Sequence, residues 1–331
     1  MRRAVSILAA GVLLVGTPTA YASPDPELKL TTVTLGQASV APAGLKTEPV
    51  TITVTGSYKP DPDGVLTAVL KPQSGGNGNL FSDELRWVSG TDEHSTWRGV
   101  VNVPAIATGT YKVIGVVPAS YESWIAGMGL DETPYDGPTL TIKGTHIPKV
   151  TATQIPAVVP YQGGFKVKWT VLDSATGKPY GTKIPVAAGT AGDVLCYGDA
   201  VTDVNGVVTR GGGENACLAF PGVPAQYWGA TVLPKWIRSV SAKPAKTSAK
   251  VGTLVPVSGS QPQSWHCQVQ LQRLYGASQW RTVATTMVRE SGRFTVNAQP
   301  AYKGKISYRV LMPACGNFVA GSTKPFSITG T

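Results

Sequence analysis

The last third of this 331-residue chain almost lacks acid. Residues 239–331 hold 11 Lys and Arg against one carboxylate, Glu290, a balance of +10. Residues 23–146 run the other way, with 8 basic and 13 acidic residues, a balance of −5. Residues 147–238 hold 8 against 5, a balance of +3. A field of one sign concentrated at one end attracts polyanions. The expected partner is an anionic cell-wall polymer or polysaccharide, with no specific nucleic acid. The candidate anion-binding cations are Lys243, Lys246, Lys250, Arg289, Arg293, Lys303 and Lys305. The plainer alternative is a charged surface that only keeps the protein in solution.

Histidine is scarce too. His94, His146 and His266 are scattered, and the four Cys show no CxxC spacing, so a zinc site has no ligand pattern to rest on. No GxSxG or HExxH motif occurs. Carboxylates do stand side by side at Asp83-Glu84, Asp92-Glu93 and Asp131-Glu132. Neighbours on a strand point to opposite faces, whereas glycoside hydrolysis needs two carboxyls facing across a sugar. A binding or spacing protein without a cofactor is therefore expected, with an extracellular hydrolase as the remaining alternative. Asp61, Asp63, Asp83 and Asp92 form an oxygen-rich set that could hold calcium between loops, although their spacing is not that of an EF-hand.

Long apolar runs are missing apart from residues 4–16, which are too few to span a bilayer. Arg2 and Arg3 precede that run, and Ala20-Tyr21-Ala22 follows it. This is the pattern of a secretory signal over residues 1–22, cleaved between Ala22 and Ser23. Pro24 and Pro26 argue against a continuing helix. No Cys stands behind the run and the C-terminal KPFSITGT lacks a sorting motif. The expectation is an extracellular product, released or held noncovalently at the cell wall.

Gly and Pro, by contrast, are abundant: 38 and 26 residues. They separate short runs in which apolar and polar residues alternate, such as Val50–Val54, Phe165–Val171 and Ile306–Val310. Alternation of period two marks strands with one dry and one wet face. Turn signals lie between them at Asp61-Pro62-Asp63-Gly64, Asn205-Gly206 and Ser291-Gly292. The fold class is all-β: three tandem immunoglobulin-like antiparallel sandwiches over 23–145, 146–238 and 239–331. In each, Tyr111, Tyr227 or Tyr308 opens an apolar run ending in Pro, resembling the penultimate strand of immunoglobulin-type sandwiches. In the third block, strands are expected at 254–258, 267–274, 280–286, 292–298, 305–311 and 325–329.

Four Cys in an exported chain read as two disulfides, with three pairings open. Proximity and the block boundaries favour Cys196–Cys217 and Cys267–Cys315. In the third block, the strands holding Cys267 and preceding Cys315 are expected to be antiparallel neighbours, which brings those two residues to one end.

Three segments of the third block, Gln270-Leu271-Gln272-Arg273, Trp280-Arg281-Thr282-Val283-Ala284-Thr285 and Tyr308-Arg309-Val310, resemble the tandem immunoglobulin-like repeats of secreted actinobacterial proteins. The likeness covers about the last ninety residues well and the middle block loosely. It implies the fold and export, and no single function, since such repeats serve both as spacers and as binding modules. Among the eight Trp, Trp169 and Trp280 are expected in cores. Trp87, Trp97 and Trp124 are expected near loop boundaries. Tyr121, Trp124 and Tyr135 form a candidate carbohydrate platform, and a first block that binds sugar is the alternative to the polyanion reading.

Intact-mass analysis of the exported protein tests the leader. A species beginning at Ser23 is expected, and a mature protein retaining residues 1–22 would contradict it.

Overall fold

A computed structural model describes residues 28–58, 64–76, 78–126, 131–192, 195–261 and 266–331. The leader, its cleavage site, Asp61, Asp63 and Trp265 lie outside the described residues. The described chain is almost entirely β in class and falls into three consecutive sets of sheets. Two short helical turns, Ala105–Ala107 and Tyr121–Ile125, interrupt it. No described helix is long and apolar enough to cross a membrane.

Alternation explains each core. Along Thr47–Ser57, Val50, Ile52 and Val54 are buried while Thr51 is exposed. They meet Leu70, Tyr111, Val113 and Leu140 from the facing sheet in one cluster. In the second set, Val167, Trp169 and Val171 of Phe165–Asp173 face Val186 and Leu218. In the third, Val257, Phe294 and Val296 face Leu271, Ile306 and Val310. Truncating one such aliphatic side chain to Ala costs about 2–5 kcal/mol.

The third sandwich carries the immunoglobulin-type strand order. One sheet runs Ser241–Pro244, Val255–Ser260, Arg293–Ala298. The other runs Ser248–Ala249, Phe326–Gly330, Gly304–Met312, Gln268–Tyr275, Gln279–Met287. The first sandwich repeats the plan, with Thr47–Ser57 central in one sheet and Gly109–Val117 in the other. Two of the turn signals are used as expected: Gly206 (φ 75°) and Gly292 (φ 70°) occupy the left-handed region, where a side chain would be strained, while most of the third, Asp61–Asp63, lies outside the described residues.

The Tyr308 hydroxyl donates to the Gln299 carbonyl (3.0 Å), closing a corner back to the chain before its strand. Tyr227 departs from expectation. It opens the last strand of its sheet, Tyr227–Val232, and the strand before it, Ala216–Phe220, has no Tyr. Trp97 and Trp280 also need correction. Trp97 is fully buried in the long strand His94–Pro104. Trp280 is half-exposed beneath Arg309. Alternation puts Trp280 in register with Leu274, on the outward side.

Both disulfides pair as expected, Cys196 with Cys217 and Cys267 with Cys315. The first holds a small apolar cluster with Ala187 and Ala219, partly covered by Trp228. The second anchors the loop that leads to Phe318. Their sequence separations are 21 and 48 residues. Chain entropy then assigns about 3 and about 4 kcal/mol to the two bridges. Replacing Cys267 and Cys315 together by Ala should lower unfolding stability more than replacing Cys196 and Cys217. Urea denaturation checks the order, and the reverse order would contradict the loop-length argument.

Candidate binding surfaces

The first two sandwiches are joined around Tyr227, whose ring packs on both their cores. Its hydroxyl donates to the Asn102 carbonyl (2.5 Å). The Asn102 amide donates to Asp83 (3.0 Å) and to the Val223 carbonyl (3.5 Å). Burial pushes the Tyr227 phenol far above its usual range, and the nearby Asp83 adds to the effect. Asp83 is itself shifted upward by burial, which the Asn102 hydrogen bond partly offsets. Below Tyr227, Tyr180 donates to the His146 carbonyl and is pushed up to about 12, mainly by burial.

Beside Tyr227 opens a cleft of about 500 Å³. Ser120 caps the turn Tyr121–Ile125 by accepting from the Ser123 N–H (3.2 Å), which sets Tyr121 and Trp124 against Phe81 at 4.8 and 5.5 Å between ring centres. Opposite them, the Gln226 amide accepts from the Cys196 N–H (2.9 Å) and donates to its carbonyl (3.2 Å), fixing the strand entry that presents Tyr227 and Trp228. Among the described residues the lining contains Asn79 and Gln226 and no Asp or Glu. Such a cleft offers ring faces and few polar anchors, as ligand-binding clefts do.

Tyr121, Trp124 and Tyr135 are not one exposed platform. Tyr121 is buried under Phe81. Trp124 lines the cleft, and Tyr135 packs on the first core away from it, its hydroxyl donating to the Thr31 carbonyl (3.4 Å). Phe81 and Trp228 were missed as partners of Trp124, because nothing in a linear pattern marks two blocks as meeting there. Of the calcium candidates, Asp83 is engaged by Asn102 and Asp92 lies exposed in a turn. Among the described residues no three metal-ligating side chains gather.

All seven candidate cations of the third sandwich are exposed. Lys243 lies in register with Ser258, and Ser258 with Thr295, which accepts from Arg289 (3.3 Å). Arg293 lies in the next outward row, opposite Ser260. Lys305 stands opposite Thr329 on the other sheet, with Lys303 just before it. Lys246 and Lys250 flank the short strand Ser248–Ala249 that pairs with Thr329–Gly330. The cations thus divide between two faces, and the paired ions among the described residues all lie in the first two sandwiches.

No protein-family model matches the sequence, and no curated protein matches it. Among solved structures, the chain is similar to the I-band fragment I67–I69 of titin, at 11% identity and a TM-score of 0.28, covering 91% of this chain and 99% of that one. It is also similar to the BSP domain of a biofilm-associated protein, at 8% identity and a TM-score of 0.22, covering 93% and 68%. A Salmonella α2-macroglobulin reacted with methylamine follows, at 11% identity and a TM-score of 0.23, with 94% and 23% covered. Likenesses this distant carry no argument about function.

The joint makes a direct prediction. Tyr227→Phe keeps the packing but removes the bond to Asn102, and should destabilise by about 1 kcal/mol. Denaturant unfolding followed by tryptophan fluorescence measures it. Unchanged stability would mean that the hydroxyl does not couple the two sandwiches.

Proposed function

We propose that this is an exported, non-enzymatic binding and spacing protein of the bacterial surface, attached to anionic wall polymer through its third sandwich. The observation that carries the reading is the third sandwich itself, with one acid against 11 bases and its candidate cations exposed. Two disulfides suit the oxidising environment that such a role requires.

The joints suit a spacer. Trp236–Ile237 pairs in parallel with Val159–Pro160 of the second sandwich. The same Trp236 donates its N–H to Asn317 (2.9 Å) and accepts from Val319 (3.0 Å) in the third. Lys235, the residue before it, accepts from the Val159 N–H of the second sandwich (3.0 Å), so two consecutive backbone residues tie the strand to both. Tyr161, Trp236 and Phe318 cluster around it, with ring centres 5.1 to 5.7 Å apart. Arg238, nearly buried, lies 5.0 Å over the Phe318 ring and donates to the Cys315 carbonyl (3.1 Å). A second reading, sugar binding in the first half of the molecule, is favoured by the aromatic cleft beside Trp124 and Trp228.

Retention on purified cell wall separates the two. Exposed charges are screened as the Debye length falls from ~10 Å at 0.1 M to ~3 Å at 1 M salt. Binding should therefore drop steeply across that range, and the triple change Lys243→Glu, Lys246→Glu, Lys250→Glu should weaken it further at low salt. Salt-independent retention that Trp124→Ala abolishes would favour the cleft instead.

A further inference from the structure

The outward face of the larger sheet in the third sandwich holds an arginine fixed from two sides. Arg309 donates through Nε to the Gln272 side-chain carbonyl at 2.8 Å. Its guanidinium carbon lies 4.5 Å from the centre of the Trp280 ring. Gln272 is only 7% exposed, so the oxygen it offers is held in place. The register sets Gln272 opposite both Thr282 and Arg309, which makes one row across three strands. Ser307 and Lys305 follow Arg309 at every second position on the same face of Gly304–Met312.

The two terminal nitrogens of Arg309 make no hydrogen bond among the described residues, and no carboxylate pairs with them there. A guanidinium clamped at Nε and stacked on an indole keeps its planar fork open and has little freedom left to lose. That is a receptor prepared for a carboxylate, sulfate or phosphate group. The local field favours the same charge. Lys305, exposed on that same face, adds a positive charge, whereas Arg273 and Arg281 stack on Tyr275 on the other side of the sheet.

We infer that the row Trp280, Thr282, Gln272 and Arg309 is a subsite for an anionic glycan, with Arg309 holding the oxyanion and the half-exposed indole and neighbouring hydroxyls meeting the sugar. An acidic peptide would make no use of the indole and hydroxyl row, and a bare polyanion would need no fixed fork. The inference rests on the reading that the third sandwich holds anionic polymer, and it assigns that role to residues other than the scattered lysines.

The test uses the whole mature protein with three probes in titration calorimetry: polygalacturonate, poly(glycerol phosphate) and neutral dextran. Arg309→Lys keeps the charge but loses the fork and the Nε bond, and should weaken polyanion binding about tenfold. Gln272→Met leaves Arg309 in place but unclamped, and should weaken it about threefold. Lys149→Met, an exposed cation of the second sandwich, should change it by less than about twofold. Melting curves of each variant check that the fold is kept. Preference for polygalacturonate is expected of an anionic-glycan subsite, and preference for poly(glycerol phosphate), which has no sugar ring, would overturn the glycan assignment. If Arg309→Lys and Gln272→Met bind like the parent, the subsite is wrong while the polyanion reading stands. If the parent binds neither polyanion, that reading fails and the subsite with it. Equal binding of dextran would overturn the role of the oxyanion.

Discussion

A strand whose residues alternate between dry and wet has one face that must be covered. Everything else in this molecule follows from how that requirement is met. Val50, Ile52 and Val54 point one way along their strand because they are two residues apart, and only a second sheet can bury them together. Each block solves the problem with its own pair of sheets. The result is three modest cores, whose ends are the next surfaces to be covered.

Those ends set the character of the joints. Tyr227 fills the space between the first two cores, and its hydroxyl is tied to the backbone of the first sandwich. At the other joint, Trp236 extends a strand of the second sandwich and pairs with the loop that the Cys267–Cys315 bridge holds in the third. Arg238 lies against that same loop, where burial lowers its affinity for a proton but leaves it a cation at neutral pH. A connector with this many fixed partners works as a continuation of the sheets. An arm built this way can present a charged end at a set distance.

Much of this was legible in the sequence, and the physical reason is local. The strands expected in the third block agree with those observed to within one or two residues, because Phe294-Thr295-Val296 and Ile306-Ser307-Tyr308 carry their burial pattern in their order. The disulfide between Cys267 and Cys315 followed from the same strand order. Which residues of different blocks touch was not legible. Tyr227 resembled a corner tyrosine and is instead a peg between two sandwiches. Trp280 looked like core because it is a large ring in an alternating strand, but the phase of the alternation sets it outward beside Leu274. Tyr121 and Trp124 stand on a helical turn, so strand parity says nothing about where they point. The cleft depends on Gln226 and Phe81 as much as on Trp124, and only the fold brings them together.

The central claim is that the strongly basic third sandwich, with Glu290 as its one acid, is the end that holds the polymer. Hydrogen–deuterium exchange of the whole protein, with and without purified anionic wall polymer, tests it most directly. The account predicts added protection within residues 239–331, strongest along Gln268–Tyr275, Gln279–Met287 and Gly304–Met312, and none at residues 78–81, 121–125 or 225–228. Protection confined to those cleft segments, with the third sandwich unchanged, would contradict it.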